Sequence, residues 1–371
     1  MRMLKSLPAK DGFYMPAEFS EHSGTVMIWP VRTGSWGDGN KAKEVFAKIA
    51  RIISQREKVY MLAGPDDVLS VKKVFSEDTN IRVLEVQTDD AWARDVAPTF
   101  VVRGGVVRGI SWVFNAWGGD VDGLYQDYTY DDMAAERICE ELGLECYDAW
   151  PFVLEGGAIH TDGEGTLMVT ESCLLSPGRN PDLSKGEIEE KLKEYLNVER
   201  ILWLPCGIYQ DETNEHVDNI CAFIKPGEVV LAWCENENDP QYEMSRACLE
   251  YLETQEDAKG RKLVIHKLPV PAVPVCVSED EISGFTFAPG EEVRTPGERL
   301  AASYVNYYHC NAGILVPQFG DENDARAVEI LKCLFPGKAV YPIAAGAILL
   351  GGGNIHCITQ QIPACERKTF T

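Results

Sequence analysis

The residues best suited to covalent chemistry stand near the end of the chain, in the segment GGGNIHCITQQ at residues 351–361. Cys357 follows three glycines, and a glycine such as Gly352 lets the backbone approach a reacting carbon without a side chain in the way. A thiolate attacks carbon once an imidazolium or a bound cation lowers its pKa. We therefore predict that Cys357 is a nucleophile and that the other eleven of the twelve cysteines are reduced core residues.

Ionisable side chains occur where apolar strands are expected to begin. Asp95 in WARDVAP, Glu155 in LEGGAIH, and His216 with Asp218 in NEHVDN occupy such positions. An unpaired buried carboxylate is costly, and a planar guanidinium with forked donors would pair with it well. Interpreted as a strand, HVD places His216 and Asp218 on one face, so that one acts as acid or base while the other holds the ligand.

His356 is a rival base because it adjoins Cys357. In an extended segment the two side chains would point to opposite faces, so we rank His356 below His216 and treat the remaining histidines as structural. Arg94 is expected to pair with a neighbouring acid rather than with a cationic ligand.

Repeated elements must position these residues. Four segments, starting at Asp95, Glu155, His216 and Ser303, each predict a strand, a tight turn containing glycine and a second strand, followed by a helix and one further strand. A shorter copy near the N-terminus has GTVMIWP as its opening strand. Five ββαβ repeats predict an α/β fold in the form of a five-bladed, pseudo-fivefold propeller, whose repeat starts converge near an axis. A two-domain mixed α/β protein is the alternative.

The composition limits the number of domains and the classes of partner that we expect. Residues 1–371 contain no low-complexity linker, so we predict a single domain. The formal net charge of −23 argues against a nucleic-acid partner and would steer a cationic small molecule inward. The apolar run YPIAAGAILLGGG is too short and too rich in glycine to cross a bilayer, so we expect no membrane partner and a cytoplasmic location. Neither HExxH nor paired cysteines occur, so we expect no metal. We also expect a homo-oligomer.

Several motifs together resemble the agmatine deiminases of the guanidine-modifying superfamily. They span residues 15–363 and are MPAEFSEHSGTVMIWP, DDAWARDVAPTF, FNAWGG, EGGAIHTDGEGTLMVTE, ETNEHVDN, SYVNYY, VPQFGD and GGGNIHCITQQIP. The resemblance implies a five-bladed α/β propeller. It also implies hydrolysis of agmatine to N-carbamoylputrescine and ammonia without a metal or an organic cofactor. Whether such an activity serves putrescine biosynthesis or agmatine catabolism is left open.

The resemblance also implies roles for individual residues. Cys357 would be the nucleophile that forms an amidino-cysteine intermediate, and His216 the general acid and base. Asp95 and Asp218 would pair with the guanidinium, while Glu155 would orient the histidine.

The remaining ligand contacts are assigned on residue type. Trp92 would pack on the aliphatic chain of agmatine. Glu212 and Glu215 both suit its distal amine, and we favour Glu212.

Two other functions stay open at this point. A deiminase acting on arginine, methylated arginine or peptidyl-arginine would need a basic anchor for a carboxylate or peptide, and only Arg94 offers itself among the motifs. A non-catalytic binding protein is the second alternative, because a propeller of this kind also occurs in a ribosome-binding translation factor. Such a protein would have no reason to keep Cys357 and His216 together with the buried acids.

Overall fold

The computed structural model describes residues 2–289, 291 and 293–365. The strands, numbered in chain order, are β1 Met3–Leu4, β2 His22–Ile28, β3 Lys58–Ala63, β4 Ile81–Glu85, β5 Thr99–Arg103, β6 Val106–Val113, β7 Cys146–Val153, β8 His160–Thr161, β9 Thr166–Thr170, β10 Arg200–Leu204, β11 Cys221–Lys225, β12 Glu228–Trp233, β13 Val264–Pro269, β14 Tyr308–Cys310, β15 Gly313–Gln318, β16 Ala339–Ala344 and β17 Gln360–Pro363.

The helices are α1 Thr33–Trp36, α2 Asn40–Ile53, α3 Val68–Val74, α4 Ala93–Val96, α5 Gly119–Asp122, α6 Thr129–Leu142, α7 Glu171–Leu174, α8 Lys185–Leu196, α9 Val217–Ile220, α10 Pro240–Glu253, α11 Asp324–Leu334 and α12 Gly346–Leu349. Two 3₁₀ turns lie at Gly156–Ala158 and Glu281–Gly284. Among these described helices, none is long and apolar enough to cross a membrane.

The strands form separate small sheets built on one plan. The pairs β5/β6, β8/β9, β11/β12 and β14/β15 are antiparallel hairpins. Each hairpin is followed by a helix, and a return strand then pairs in parallel with the second strand of the hairpin. The predicted α/β class and the ββαβ order of these four repeats are confirmed. A closed five-bladed propeller stays a prediction.

The fifth sheet joins the two ends of the chain, in the order β17-β2-β3-β4. β17 is antiparallel to β2, with Gln360 opposite Val26, and β2 is parallel to β3. The expectation that GTVMIWP opens this repeat is therefore wrong, because the opening strand is β17 and GTVMIWP supplies the second strand. Since β17 directly follows the turn that carries Cys357, the closing of this sheet fixes the position of that turn.

Local sequence signals mark the ends of the helices that precede the return strands. The side chain of Ser184 caps α8 in a reciprocal capping box with Glu187, and Asn197 ends the helix in the left-handed conformation. Asp239 caps α10 ahead of Pro240, the first helical residue. These signals fix both ends of α8 and the beginning of α10.

Single helical turns stand at three of the repeat starts. α4 precedes β5, the 3₁₀ turn Gly156–Ala158 precedes β8, and α9 precedes β11. The α4 and α9 turns both pack against the 3₁₀ turn, so these starts meet as predicted. The expectation that HVD is a strand is wrong, because His216 is the N-cap of α9 and Asp218 lies within that helical turn.

Candidate active site

A pocket opens between the repeat starts, the turn before β17 and the long loop that follows β13. Six of the residues singled out from the sequence line it, namely Trp92, Asp95, Glu212, His216, Gly352 and Cys357. Glu155 and Asp218 do not line the pocket. They lie directly behind it, in contact with His216 and Cys357 respectively.

The turn that carries Cys357 requires its glycines. A Cβ atom on Gly353 would lie 2.5 Å from the Trp92 ring and 3.1 Å from the Cβ of Cys357. Gly352 has φ +108°, and a Cβ there would lie 2.6 Å from a Glu212 carboxylate oxygen. The amide of Arg94 donates to the carbonyl of Cys357 at 3.0 Å, which ties this turn to α4. Gly352 and Gly353 therefore allow this turn to pack closely against Glu212 and Trp92. The approach of the backbone to a reacting carbon stays a prediction.

Cys357 is buried against an acid and an amide. Its Sγ lies 3.8 Å from Asp218 Oδ2 and 3.5 Å from Asn306 Oδ1. Burial, followed by the charges of Asp218 and Asp95, raises the pKa of this thiol well above its ordinary value. With the pocket empty, Cys357 is therefore a neutral thiol at neutral pH.

His216 sits between two carboxylates. Its Nδ1 is 4.0 Å from Asp95 Oδ1, and its Nε2 is 3.7 Å from Glu155 Oε2. Burial acts to lower the pKa of the imidazole, but the neighbours Asp95, Cys173 and Glu155 outweigh it and hold the pKa well above the ordinary value. His216 is therefore an imidazolium at neutral pH and can donate a proton.

Glu155 is itself held by a cation. Its Oε1 lies 2.7 Å from Arg179 Nε, and both side chains are buried. Burial favours the neutral acid, but Arg179 and then His216 hold the pKa of Glu155 below its ordinary value. Glu155 thus stays ionised beside His216.

The two acids expected to bind the ligand meet His216 around one backbone position. A Cβ atom on Gly157 would lie 2.5 Å from His216 Nδ1 and 3.0 Å from a carboxylate oxygen of both Asp95 and Asp218. The close approach of these three side chains therefore requires glycine at position 157.

Asp95 and Asp218 accept hydrogen bonds from different kinds of donor. Asp95 takes hydrogen bonds from the Gly157 amide at 2.9 Å and from Trp117 Nε1 at 3.0 Å. Burial raises the pKa of Asp95 to about 6, helped by Asp218 and Glu155 and opposed by His216. Asp218 Oδ2 accepts from the ring of His356 at 2.8 Å, and Oδ1 has no hydrogen-bond partner within the described chain.

Aromatic rings form one wall of the pocket. Trp92 donates from Nε1 to Asp90 at 3.0 Å, and its ring centroid is 4.8 Å from that of Trp36. Asp90 also accepts from Trp36 Nε1 at 2.6 Å, so one buried acid orients both indoles. This flat apolar wall suits an aliphatic chain.

Glu212 and Glu215 lie in different surroundings. Glu212 lines the pocket and pairs through both carboxylate oxygens with Arg294, with 2.7 Å between Glu212 Oε2 and Arg294 Nη2. Glu215 accepts instead from the Gly207 amide at 2.7 Å and from Ser172 at 2.9 Å, away from the pocket. Of the two acids considered for a distal amine, only Glu212 is placed to meet one.

The expectation about basic residues needs a correction. Arg94 pairs with an acid as predicted, with its Nη2 3.3 Å from Glu18 Oε2 behind the pocket. Arg32 and Arg294, however, both line the pocket, so Arg94 is not the sole basic candidate. Each of the two is paired with a carboxylate: Arg32 with Glu291, and Arg294 with Glu212.

Sequence reasoning missed several residues that hold the site. Asn306, which contacts the thiol, belongs to the repeat that starts at Ser303, so the rule that starts converge could have found it. His356 lies in a turn rather than in an extended segment, and both of its ring nitrogens bond to carboxylates. No local signal identifies Glu18, one of those carboxylates, because 338 positions separate it from His356.

Two groups within the described residues have the spacing of metal ligands: Glu18, His160 and His356, and Glu155, Cys173 and His216. In the first group, carboxylates occupy both nitrogens of His356 at 2.8 and 2.6 Å. In the second group, Glu155 is engaged by the guanidinium of Arg179. These contacts favour ion pairing over metal ligation in both groups.

Comparison with known proteins gives consistent matches. The family model described as Porphyromonas-type peptidyl-arginine deiminase matches residues 14–363. A Selenomonas ruminantium protein is 57% identical to this chain over 371 residues, and it is provisionally named an agmatine deiminase. The match covers 99% of this chain and 100% of that protein.

Solved structures match over nearly the same range. The Enterococcus faecalis agmatine deiminase has a TM-score of 0.94 at 43% identity, covering 98% of this chain and 99% of that one. A C. jejuni agmatine deiminase, with a cysteine replaced by serine and substrate bound, has a TM-score of 0.81 at 26% identity, covering 94% of this chain and 96% of that one. The range that matches the family model, residues 14–363, includes every residue named above for the candidate site.

Proposed function

This chain belongs to the Porphyromonas-type peptidyl-arginine deiminase family, and from that premise we propose that it hydrolyses agmatine to N-carbamoylputrescine and ammonia. The observation that carries the proposal is the grouping of one thiol, one imidazolium and two carboxylates at the end of an aromatic-walled pocket. Several relatives of similar length are named as agmatine deiminases, and one of them was solved with substrate bound and a cysteine replaced by serine.

We expect the substrate to lie in the pocket in one direction. Its guanidinium would lie between Asp95 and Asp218, where a cation relieves the repulsion of two buried acids. The aliphatic chain would lie along Trp92, and the distal amine would reach Glu212 at the outer end of the pocket. The amine would share that carboxylate with Arg294, which has a second acidic partner in Glu298 at 2.6 Å.

The first half of the reaction would release ammonia. A bound guanidinium neutralises the charges of Asp218 and Asp95, which raise the pKa of Cys357, so the thiol loses its proton to solvent as substrate binds. The thiolate then bonds to the guanidinium carbon. His216 donates its proton to a terminal nitrogen, the C–N bond breaks, and ammonia leaves an amidino-cysteine.

The second half would use the same histidine in the opposite sense. The neutral His216 takes a proton from water, and the resulting hydroxide adds to the amidino carbon. The C–S bond breaks, the hydroxyl proton passes to the sulfur, the ureido product leaves, and Cys357 returns as a thiol. Glu155 does not touch the reacting atoms, and it acts as a positioning residue that holds the charge and orientation of His216.

A deiminase acting on free arginine is the second candidate, because Arg32 and Arg294 line the pocket and could anchor a carboxylate. Each guanidinium already meets an acid, however: Glu291 for Arg32, and Glu212 with Glu298 for Arg294. Those acids leave the outer pocket attractive to a cation. Ammonia release measured with agmatine and with arginine separates the candidates. We expect agmatine to have the higher kcat/KM, and a preference for arginine would refute the assignment.

We also propose that residues 1–371 form one catalytic domain, with the five sheets arranged as the blades of a closed propeller. The pairing of the C-terminal β17 with the N-terminal β2 supports this arrangement, as does the contact of α4 and α9 with one 3₁₀ turn. A crystal structure with five blades about one axis would bear it out, and an open row of sheets would refute it. The homo-oligomeric state and the cytoplasmic location stay predictions from the sequence.

A further inference from the structure

A line of four buried ionisable groups starts beside the nucleophile. Asp218 Oδ2 is 2.8 Å from His356 Nδ1, His356 Nε2 is 2.6 Å from Glu18 Oε2, and the same Glu18 oxygen is 3.3 Å from Arg94 Nη2. The formal charges alternate along this line if His356 is an imidazolium. Glu18 and His356 line a small cavity behind Asp218 and do not line the substrate pocket. Neither can therefore touch the substrate.

We propose that His356, held between Glu18 and Asp218, is a positioning residue that keeps Asp218 ionised and fixes its carboxylate where the guanidinium binds. The inference rests on the proposed function, since it concerns the same substrate. It adds to that function a pair, Glu18 and His356, that acts through Asp218 rather than on the reacting atoms.

The contrast between the two substrate acids supports this role. Asp95 and Asp218 are both buried and approach the same histidine, His216. Among the described residues, Asp95 accepts hydrogen bonds from two neutral donors and lies 4.0 Å from His216, whereas Asp218 accepts from the ring of His356 at 2.8 Å. The pKa of Asp95 accordingly rises to about 6, while His356 outweighs burial and lowers the pKa of Asp218. When the surroundings of two carboxylates move their pKa values in opposite directions in this way, the two groups can have different roles.

Glu18 is what allows His356 to hold a charge. Burial and the nearby Arg94 act to lower the pKa of His356, but Glu18 and Asp218 outweigh them and raise it. His160 also faces this ring, with centroids 6.4 Å apart, but burial lowers the pKa of His160 to about 4, so it is neutral at neutral pH. Asp218 faces, besides His356, the charged His216 and Arg94 and the thiol of Cys357. Removing the charge of Glu18 should therefore make His356 lose its proton more readily, and the pKa of Asp218 should then rise.

The chain offers a matched control for this substitution. Glu57 is a second buried acid beside a buried histidine, with Oε1 3.4 Å from His22 Nδ1, and it also accepts from the Asn311 amide at 2.7 Å. Neither Glu57 nor His22 lines the substrate pocket. Glu57→Gln thus removes a comparable buried charge without touching Asp218.

The test measures the Kd of agmatine between pH 5 and 9 in full-length Cys357→Ser protein, alone and combined with Glu18→Gln or Glu57→Gln. We expect Glu18→Gln to weaken binding more at pH 5 than at pH 9, because Asp218 takes up a proton more readily once His356 loses its charge. The extra weakening should grow by about tenfold per pH unit once the pH falls below the raised pKa of Asp218. We expect Glu57→Gln to leave the pH profile unchanged. Equal weakening by Glu18→Gln at every pH, or the same pH-dependent loss in Glu57→Gln, would overturn the proposal. A Cys357→Ser protein that binds no agmatine at any pH would contradict the proposed function instead.

A second measurement needs no substitution, in case Glu18→Gln does not fold. In wild-type protein labelled with ¹⁵N-histidine, with ring signals assigned through the backbone, we expect both nitrogens of His356 to be protonated at pH 7.5. A neutral His356 ring at that pH would also overturn the proposal.

Discussion

At the scale of single residues, the site contains buried negative charges that a bound cation would neutralise. Asp95 and Asp218 are buried close together, and Cys357 is a thiol beside them. In the proposed mechanism, a guanidinium supplies the missing positive charge and releases the thiol proton at the same time. Substrate binding and activation of the nucleophile are therefore one electrostatic event, and each can be tested separately.

The first prediction concerns Asp95, whose pKa burial raises to about 6. In the proposed function its ionised form binds the guanidinium, and the ionised fraction falls as the pH falls through 6. We expect the Kd of agmatine for Cys357→Ser protein to be flat above pH 7 and to rise about tenfold per unit below pH 6. Calorimetric titration across this range measures it. Affinity that is constant down to pH 4.5 would contradict the place of Asp95 in the substrate site.

The second prediction concerns the thiol of Cys357 in the ligand-free protein. Burial, Asp218 and Asp95 raise its pKa well above the ordinary value of 9.0. We expect its rate of alkylation by iodoacetamide to keep rising through pH 9, because the thiolate is the reactive form. Mass spectrometry of peptides containing Cys357 gives the rate. A plateau below pH 8 would mean that the thiolate forms without substrate.

Residue types and their places in the repeats predicted the group that meets in the structure, namely Asp95, Glu155, His216, Asp218 and Cys357. Each of these is an ionisable or nucleophilic side chain at the start of a repeat. The contact of Glu18 with His356 and the hydrogen bond from Arg94 to Gln361 could not be assigned in this way, since 338 and 267 positions separate the partners along the chain. Only the closed fold brings such positions together.

At the scale of elements, short turns rather than strands present the reactive groups. α4, the 3₁₀ turn Gly156–Ala158 and α9 each redirect the chain just before a strand, and the glycine-rich turn before β17 does the same for Cys357. The sequence predicted the hairpins because glycine turns and alternating apolar residues mark them. It missed α9, because a single helical turn is too short to show a helical period.

The third prediction tests the turn before β17. Gly353→Ala places a Cβ atom 2.5 Å from the Trp92 ring and 3.1 Å from the Cβ of Cys357. We expect kcat to fall by about 10-fold to 100-fold, because a displacement near 1 Å at a reacting group has effects of this order. Steady-state ammonia release with agmatine measures it.

Gly346→Ala is the matched control for that variant. Gly346 begins α12 in the same part of the chain, and a Cβ there meets nothing within 4 Å. We expect unchanged kcat and a slightly higher melting temperature. Equal activity in Gly353→Ala and Gly346→Ala would show that the close approach at residue 353 does not matter.

At the scale of the whole molecule, charge favours the approach of the substrate. The chain has a formal net charge of −23, and the pocket combines several carboxylates with two arginines that are already paired. The field of such a protein concentrates a cation near its surface and raises the rate of encounter. This effect belongs to no single residue, and composition alone was enough to predict it.

The fourth prediction follows from that field. The Debye length falls from about 30 Å at 0.01 M salt to about 3 Å at 1 M. Over this range we expect kcat/KM for agmatine to drop by about tenfold or more. The control is alkylation of Cys357 by uncharged iodoacetamide, whose rate should change little with salt. Parallel changes in the two rates would mean that salt alters the site itself rather than the approach of a cation.

The central claim is that Cys357 bonds to the guanidinium carbon of agmatine and carries it through ammonia release. Its most direct test is mass spectrometry of the wild-type protein quenched with acid during turnover of agmatine, with Cys357→Ser as the control. We predict an adduct on Cys357 with the mass of agmatine less one ammonia, and no adduct in Cys357→Ser, which should also lose turnover. An adduct on another residue, or sustained turnover by Cys357→Ser, would contradict the claim.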